Sequence, residues 1–542
     1  MQPPRLFLSI AALLGGAALP APASAQASNE HWQRCANESG AHPAALVVES
    51  CTAIIQAATD TPVDLAIAHS NRAVARVAQG DLPGAVADAG EAIRLDPQNT
   101  PARRVRADAY ADQGDYVRAL ADYDEAIRLD PQNATAFNNR GTIYTDEQRD
   151  YPRALADFDA AIRLRPDYAL AFANRANVHY QQQDYPRALA DANEAIRLDP
   201  DDAPAFAIRG DVYAAQGDRV RAVADYDQAI RLDPRHVEAH HKRGMAHANL
   251  GDTARAIADY DEVLRLDPQH ADLHVARADA YADRGDHVRA LADYAEAIRR
   301  DPQNAGAFNN RGTVYANALG DQLRAIADYD AAIRLQPDYA LAFANRAAAY
   351  YRQRDYPRAL ADANEAIRLD PQNAAAFSTR GGAYAEQGDL RRAIADYDEA
   401  IRLDPQAADD FYDRGVTHQD LGDSQRALAD YDEAIRLNPR HARAFNNRGT
   451  IYQNRGEVRR AIVDYDAAIR LDPNFVEAYD NRGNVREHLG EQEAALGDFR
   501  KALTLRSGDR VSRAGLCRIL TARDAAAQEA RRACTGVAPA DR

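Results

Sequence analysis

Small apolar and aromatic residues return along this chain at spacings of three and four, pause at a glycine, an acid or a proline, and then return again. In the stretch Thr100 to Asn133 the carriers are Ala107, Tyr110, Ala119, Tyr123 and Ala126, a spacing that lines one face of a helix. "PARRVRADAYADQ" predicts a first helix that Gly114 ends; Asp115 caps the next, and "YVRALADYDEAIRL" predicts a second helix closed at Asp130-Pro131. The same slots hold Gly210, Tyr213, Ala222, Tyr226 and Ala229, and later Gly381, Tyr384, Ala393, Tyr397 and Ala400. Prolines recur from Pro97 to Pro473 every 34 residues, with 35 twice, and a thirteenth copy closes at Ser507. The cap slot is acidic in every copy, Asp from Asp81 to Asp423 and Glu at Glu457 and Glu491. One helix pair of this size cannot bury its apolar face alone, so neighbours must stack on it.

A helix–turn–helix unit opening with "AFNNRGTIY" (Ala136 to Tyr144) and closing on Ala, an aromatic, Ala and Pro resembles the tetratricopeptide repeat over about residues 66–509. The resemblance implies an all-α, right-handed superhelical solenoid of about thirteen repeats, whose first helices line a concave groove that binds proteins or peptides. A longer period overlies the first. Residues 136–200 match 307–371 at an offset of 171, sharing "DYALAFANRA" and "DYPRALADANEAIRLDP", so the array grew by copying a block of five repeats. Two slots depart from the family pattern, which is apolar there. Every copy has Arg in one, as at Arg106, Arg140, Arg311 and Arg448, and Asp in the other, as at Asp122, Asp157, Asp328 and Asp464. Opposite charges entering together predict a ladder of ion pairs, within a repeat or to the next one.

One residue before each ladder arginine, seven copies carry asparagine: Asn71, Asn139, Asn174, Asn310, Asn345, Asn447 and Asn481. The others hold Val105, Ile208, Lys242, Ala276, Thr379 and Asp413. The row resembles the asparagine ladder in the repeat half of O-linked N-acetylglucosamine transferases, whose catalytic half has no counterpart here. That resemblance implies a grip on an extended peptide backbone, since a side-chain amide both donates and accepts. The alternative is an inherited, soluble groove residue. Around the asparagines the presumed groove is polar to acidic, with Asn138, Thr142, Asp211, Asp279, Asn309 and Thr450. It lacks the Lys-and-Asn arrangement by which chaperone-cofactor repeats clamp a C-terminal carboxylate, so neutral or basic extended segments are the expected partners.

Composition narrows the classes. The 542 residues carry a formal charge of -16, which argues against nucleic-acid binding through a basic surface. Residues 1–25 read as a secretory signal peptide, with Arg5, an apolar run from Leu6 to Leu19 and the exit Ala23-Ser24-Ala25. The run is shorter than the roughly 20 residues of a membrane span, so export to a bacterial periplasm, without a span after cleavage, is expected. Four cysteines allow three pairings. In an elongated array the local pairs Cys35 with Cys51 and Cys517 with Cys534 are the expected ones, stapling helical caps over residues 26–65 and 510–542.

The D-Y-D triplets, as at Asp122 to Asp124, look like a metal motif, but residues two apart on a helix do not share a face, so they read as helix pattern. The patch "RHVEAHHKRGMAH" places His240 in an aromatic slot that Phe137 fills elsewhere and His247 in the slot of Tyr110, as do His274 and His418 respectively. These are packing positions rather than a zinc set. No G-x-S-x-G, H-E-x-x-H or P-loop occurs. The expectation is a non-enzymatic envelope scaffold needing no metal or cofactor. A structural spacer, or a carbohydrate- or peptidoglycan-binding component, is the alternative.

Overall fold

The computed structural model describes residues 29–37, 40–57, 60–269 and 271–524, with positions 528, 532, 534 and 535. The signal-peptide reading of residues 1–25 lies outside them. Among the described residues every element is a helix, twenty-nine in all. Thirteen successive pairs run from Pro62–Ala78 with Leu82–Leu95 to Val476–His488 with Gln492–Leu505, numbered here as repeats 1 to 13.

The local grammar works as its residue types dictate. In repeat 2, Gly114 turns at φ +78°, and Asp115 accepts the backbone N–H of Arg118 at the start of Tyr116–Leu129. The first helix of repeat 1 starts at Pro62 rather than near Ala66. Thr61 and Asp64 form a reciprocal capping box there, with proline preorganising the first turn.

The chain divides into two compact units, residues 1–284 and 285–542. Within the first, the helices Asn29–Ala36 and Ala44–Ala57 bury Trp32, Val47 and Ile54 against Ala68 of repeat 1, and Cys35 is bonded to Cys51. Most of the pairs that follow bury alanines around one large side chain, as Ala107, Ala119 and Ala136 do around Tyr123. Within the second unit Tyr329 plays that part among Ala316, Ala325 and Ala349. The last helix, Arg510–Asp524, lays Leu516 and Ile519 on Leu496 and Phe499, and Cys517 is bonded to Cys534.

The small residues are spaced for close approach. A Cβ added at Gly141 would lie 2.8 Å from the Phe158 ring. In repeats 4 and 9, where Ala192 and Ala363 replace that ring, Ala176 and Ala347 replace the glycine.

The recurring arginine is the tie between helices. Arg106 donates Nε and Nη2 to the two oxygens of Asp122, both at 2.7 Å. Arg140 does the same to Asp157 at 2.8 and 2.7 Å, Arg311 to Asp328 at 2.8 and 2.7 Å, and Arg448 to Asp464 at 2.9 and 2.7 Å. All four pairs join the first and second helix of one repeat. The remaining nitrogen reaches the previous repeat: Arg140 Nη1 lies 2.6 Å from Asp124, and Arg448 Nη1 lies 2.6 Å from Asp432. These acceptors are the second aspartates of the D-Y-D triplets. Asn193 and Asn364 take that place for Arg209 and Arg380, while Gly90 and Ala295 offer no side-chain acceptor.

The two kinds of bond differ in weight. Asp157 is 4% exposed, whereas the Asp124 side chain is 59% exposed. Removing one partner of a buried pair costs about 3–5 kcal/mol because a charge is stranded, while an exposed pair contributes about 0.2–1 kcal/mol. Arg140→Ala should therefore destabilise repeats 2 and 3 by several kcal/mol more than Asp124→Ala does, read as loss of amide-exchange protection in those repeats; equal effects would contradict the assignment. Reducing the two disulfides should remove roughly 3 kcal/mol at each end and bring forward exchange in the terminal helices only.

Candidate functional site

Within each unit the first helices of successive repeats lie side by side, and their polar side chains make up one face. The predicted asparagines all stand on it, but their amides are largely engaged with one another. Asn139 Nδ2 donates to Asp108 Oδ1 of the previous repeat at 3.0 Å, Asn138 donates to Asn139 Oδ1 at 3.1 Å, and Asn174 donates to Asn138 Oδ1 at 3.0 Å. Asp108 is held in turn by Arg104 at 2.8 Å and by the Tyr123 hydroxyl. The copied block repeats the chain: Asn309 donates to Asn310 at 3.1 Å and Asn345 to Asn309 at 2.9 Å. Near the C-terminal end Asn446 donates to Asn447 at 3.2 Å, Asn481 to Asn446 at 3.0 Å, and Asn447 to the Tyr412 hydroxyl at 3.3 Å.

Burial separates these residues. Asn174 is 3% exposed and Asn139 is buried too, whereas Asn310, Asn345, Asn447 and Asn481 are half-buried. Asn71 stands apart, its Nδ2 buried without a hydrogen bond. A grip by Asn139 or Asn174 on a bound backbone would first have to break the seam between repeats.

The first-helix face carries charge where asparagine is absent. In repeats 5 and 6 the Lys242 ammonium lies 2.6 Å from Asp211 Oδ2 and 3.3 Å from Glu238. In repeat 11 the Asp413 carboxyl is reached by solvent, yet the walls around it withdraw enough water, with Asp410 and Asp409 repelling it, to push its pKa up to about 7.

A cavity of ≈ 540 Å³ opens beside this point, where the turns enter the first helices of repeats 11 to 13. Asp409, His441, Arg443, Asp472, Phe475 and Glu477 are among its lining residues. His441 Nδ1 accepts the Ala444 N–H at 3.2 Å, its Nε2 lies 3.3 Å from Asp409, and its ring sits 4.6 Å from that of Tyr412.

The remaining histidines that the sequence singles out are buried side chains. His240 sits 3.4 Å from the ladder residue Asp259, and His247, His274 and His418 are also buried. Among the described residues no group of three or more His, Cys, Asp or Glu is arranged to hold a metal ion, and no helix is long and apolar enough to cross a membrane. Sequence reasoning missed two features. The acceptor role of Asp124 was masked by reading its triplet as helix pattern, and the cavity depends on how two turns meet the start of a third helix. The signal for the first was an Asp that recurs beside the ladder and lapses to Asn or a small residue in register.

Family models described as tetratricopeptide repeat match residues 146–203, 209–271, 305–339, 340–373, 412–455 and 442–475, and one described as TPR repeat matches 107–146, 278–318 and 381–422. No curated protein matches the chain. Among solved structures, the hetero-tetramer Cut9–Hcn1 of the APC/C is 14% identical with a TM-score of 0.42, covering 87% of this chain and 99% of that one. YrrB, described as a TPR protein with an unusual peptide-binding site, is 25% identical with a TM-score of 0.31 over 35% of this chain and 97% of its own. MamA is 27% identical with a TM-score of 0.28 over 29% of this chain and 92% of its own. With its repeats matched by these models over more than half its length, the chain belongs to the tetratricopeptide repeat family.

Proposed function

We propose that this protein is a scaffold for protein–protein contacts, holding extended segments of other polypeptides against the face formed by its first helices. The cavity across repeats 11 to 13 carries this reading. Asp409, Arg443 and Glu477 occupy the same slot in three successive repeats, and His441 and Phe475 share another. Packed helices stand about 8–10 Å apart, and an extended chain advances roughly 3.3–3.6 Å per residue. About three residues of a bound segment thus step from one repeat to the next and meet equivalent positions each time. The half-buried Asn310, Asn345, Asn447 and Asn481 border the path as polar walls, and Asn345 and Asn481 also bond across repeats as Asn139 and Asn174 do.

The reading extends to place and chemistry. An exported, envelope protein is supported by the N-terminal apolar run and by two local disulfides, which persist in oxidising compartments. A non-enzymatic role is supported by the repeats themselves, which run from Pro62 to Leu505. A spacer role has one specific observation in its favour, the asparagines that bond to one another across repeats.

Capture from an envelope extract tests the reading, with residues 26–542, disulfides intact, as cross-linking bait. The variant Asp409→Ala/Arg443→Ala/Glu477→Ala changes exposed residues and should alter stability by only about 0.5 kcal/mol at each position. It should lose most of a partner that the parent retains. Equal capture by both would contradict the groove and favour the spacer.

A further inference from the structure

The block duplication supplies an internal comparison. Residues 203–268 stand to 374–439 at the same offset of 171 that relates 136–200 to 307–371, so each compact unit carries its own copy of one locus. In the first copy the locus is filled from within the chain. The Lys242 ammonium sits 2.6 Å from Asp211 Oδ2 and 3.3 Å from Glu238. The Tyr226 hydroxyl donates to the other oxygen of Asp211 at 2.8 Å, and the Tyr180 hydroxyl lies within electrostatic reach of both Asp211 and Lys242. An ammonium is thus held by two carboxylates, with one phenol bonded to the same Asp211 and a second within electrostatic reach.

In the second copy both phenols are retained, as Tyr351 and Tyr397, but everything between them has changed. Asp413 stands for Lys242, Gly382 for Asp211, Asp409 for Glu238, and Glu386 for Ala215. The internal cation is gone together with its four-carbon stem, and the carboxylate beneath it is cut back to a glycine. A Cβ at Gly382 would lie 3.1 Å from the Tyr351 ring, so the ring rests on bare backbone. The Tyr397 hydroxyl, lacking the acceptor that Tyr226 has, makes no hydrogen bond among the described residues, and Asp413, Asp410 and Glu386 all act on it electrostatically.

The neighbouring acids are accounted for, and Asp413 is not. Asp410 accepts the Ser378 hydroxyl at 2.5 Å, Glu386 accepts that of Tyr356 at 3.1 Å, and Asp409 lies 3.3 Å from His441. Asp413 is exposed, and its carboxylate enters no hydrogen bond or ion pair among the described residues; Arg443 is the one cation that acts on it, at longer range. The second copy therefore keeps the two phenols of that locus and inverts the charge of the residue that filled it.

We propose that the locus formed by repeats 9 to 11 receives a lysine side chain of the bound polypeptide, its ammonium resting between Tyr351 and Tyr397 with Asp413 as counter-ion. The inference rests on the scaffold reading and names the residue type it recognises. A cation over phenol faces beside a carboxylate is favoured both by the ring quadrupoles and by charge. Recognition should also depend on pH. Asp413 titrates at about 7 and binds an ammonium only when ionised, while lysine, near 10.4, stays charged. Affinity should therefore fall as pH drops, by about tenfold between pH 8 and pH 6.

The test is calorimetric titration of the full chain with a short N-acetylated, C-amidated Gly/Ser/Ala peptide bearing one central lysine, against the same peptide with norleucine, which keeps the stem and lacks the ammonium. The lysine peptide should bind about tenfold more tightly at pH 8, a difference of about 1.4 kcal/mol. Asp413→Asn, which removes the charge with little change of shape, should abolish that preference, and Asp413→Lys, which restores the filled arrangement of the first copy, should do so too; circular dichroism checks that both variants fold. Equal binding of the two peptides, or a preference that survives Asp413→Asn, would overturn the proposal while leaving the scaffold reading to the capture experiment. Cadaverine competing as well as the peptide would assign the locus to free diamines and overturn it likewise.

Discussion

One guanidinium per repeat holds this architecture together. Its Nε and Nη2 close on a buried aspartate across the helix pair, as in Arg140 and Asp157, and its Nη1 reaches back to the preceding repeat, as to Asp124. Only a planar fork of donors satisfies both at once; a lysine ammonium is a point charge on a flexible stem. The chain accordingly has arginine in the slot in every copy, and lysine only at Lys242 and Lys501. The aromatic three residues earlier packs beside the guanidinium, with Phe137 5.6 Å from Arg140 and Phe445 5.4 Å from Arg448. The same side chain therefore fixes the pair, the step to its neighbour and the packing of the first helix.

This arrangement leaves the adjoining face of the first helices free to differ from repeat to repeat. Where asparagine follows asparagine the face is sewn shut by amides, as from Asn138 to Asn174. Where it does not, the face carries charge: Lys242 locked onto Asp211, Asp413 facing solvent, and Arg443 and Glu477 at the cavity. Duplication multiplied a sound frame, and substitution at a few first-helix slots then changed what the copies present.

Most of the frame is legible in the sequence because it repeats. The Gly–Asp turn, the alanine spacing around Tyr123 and the paired recurrence of Arg106 with Asp122 announce helices, seams and ion pairs, and the local cysteine spacing announces both disulfides. The second aspartate of D-Y-D is harder to read. Residues two apart on a helix face different ways, and that is why Asp122 serves its own repeat while Asp124 serves the next. The partners of the asparagines are not legible at all. Whether Asn174 meets Asn138 or a ligand depends on the step between repeats, which no spacing within one repeat contains. The exchange of Lys242 for Asp413 is visible in the letters, but it acquires meaning only once Tyr351 and Tyr397 are seen to keep the two phenols of that locus.

The central claim is that ligands meet the first-helix face while the arginine ladder and the second helices serve as frame. Site-specific photo-cross-linking within one repeat tests it most directly, with a benzophenone side chain placed in turn at Ala375, exposed on the first helix of repeat 10, and at Arg391, exposed on its second helix. The account predicts adducts with partner polypeptides from Ala375 and none from Arg391. Adducts from Arg391 alone would contradict it.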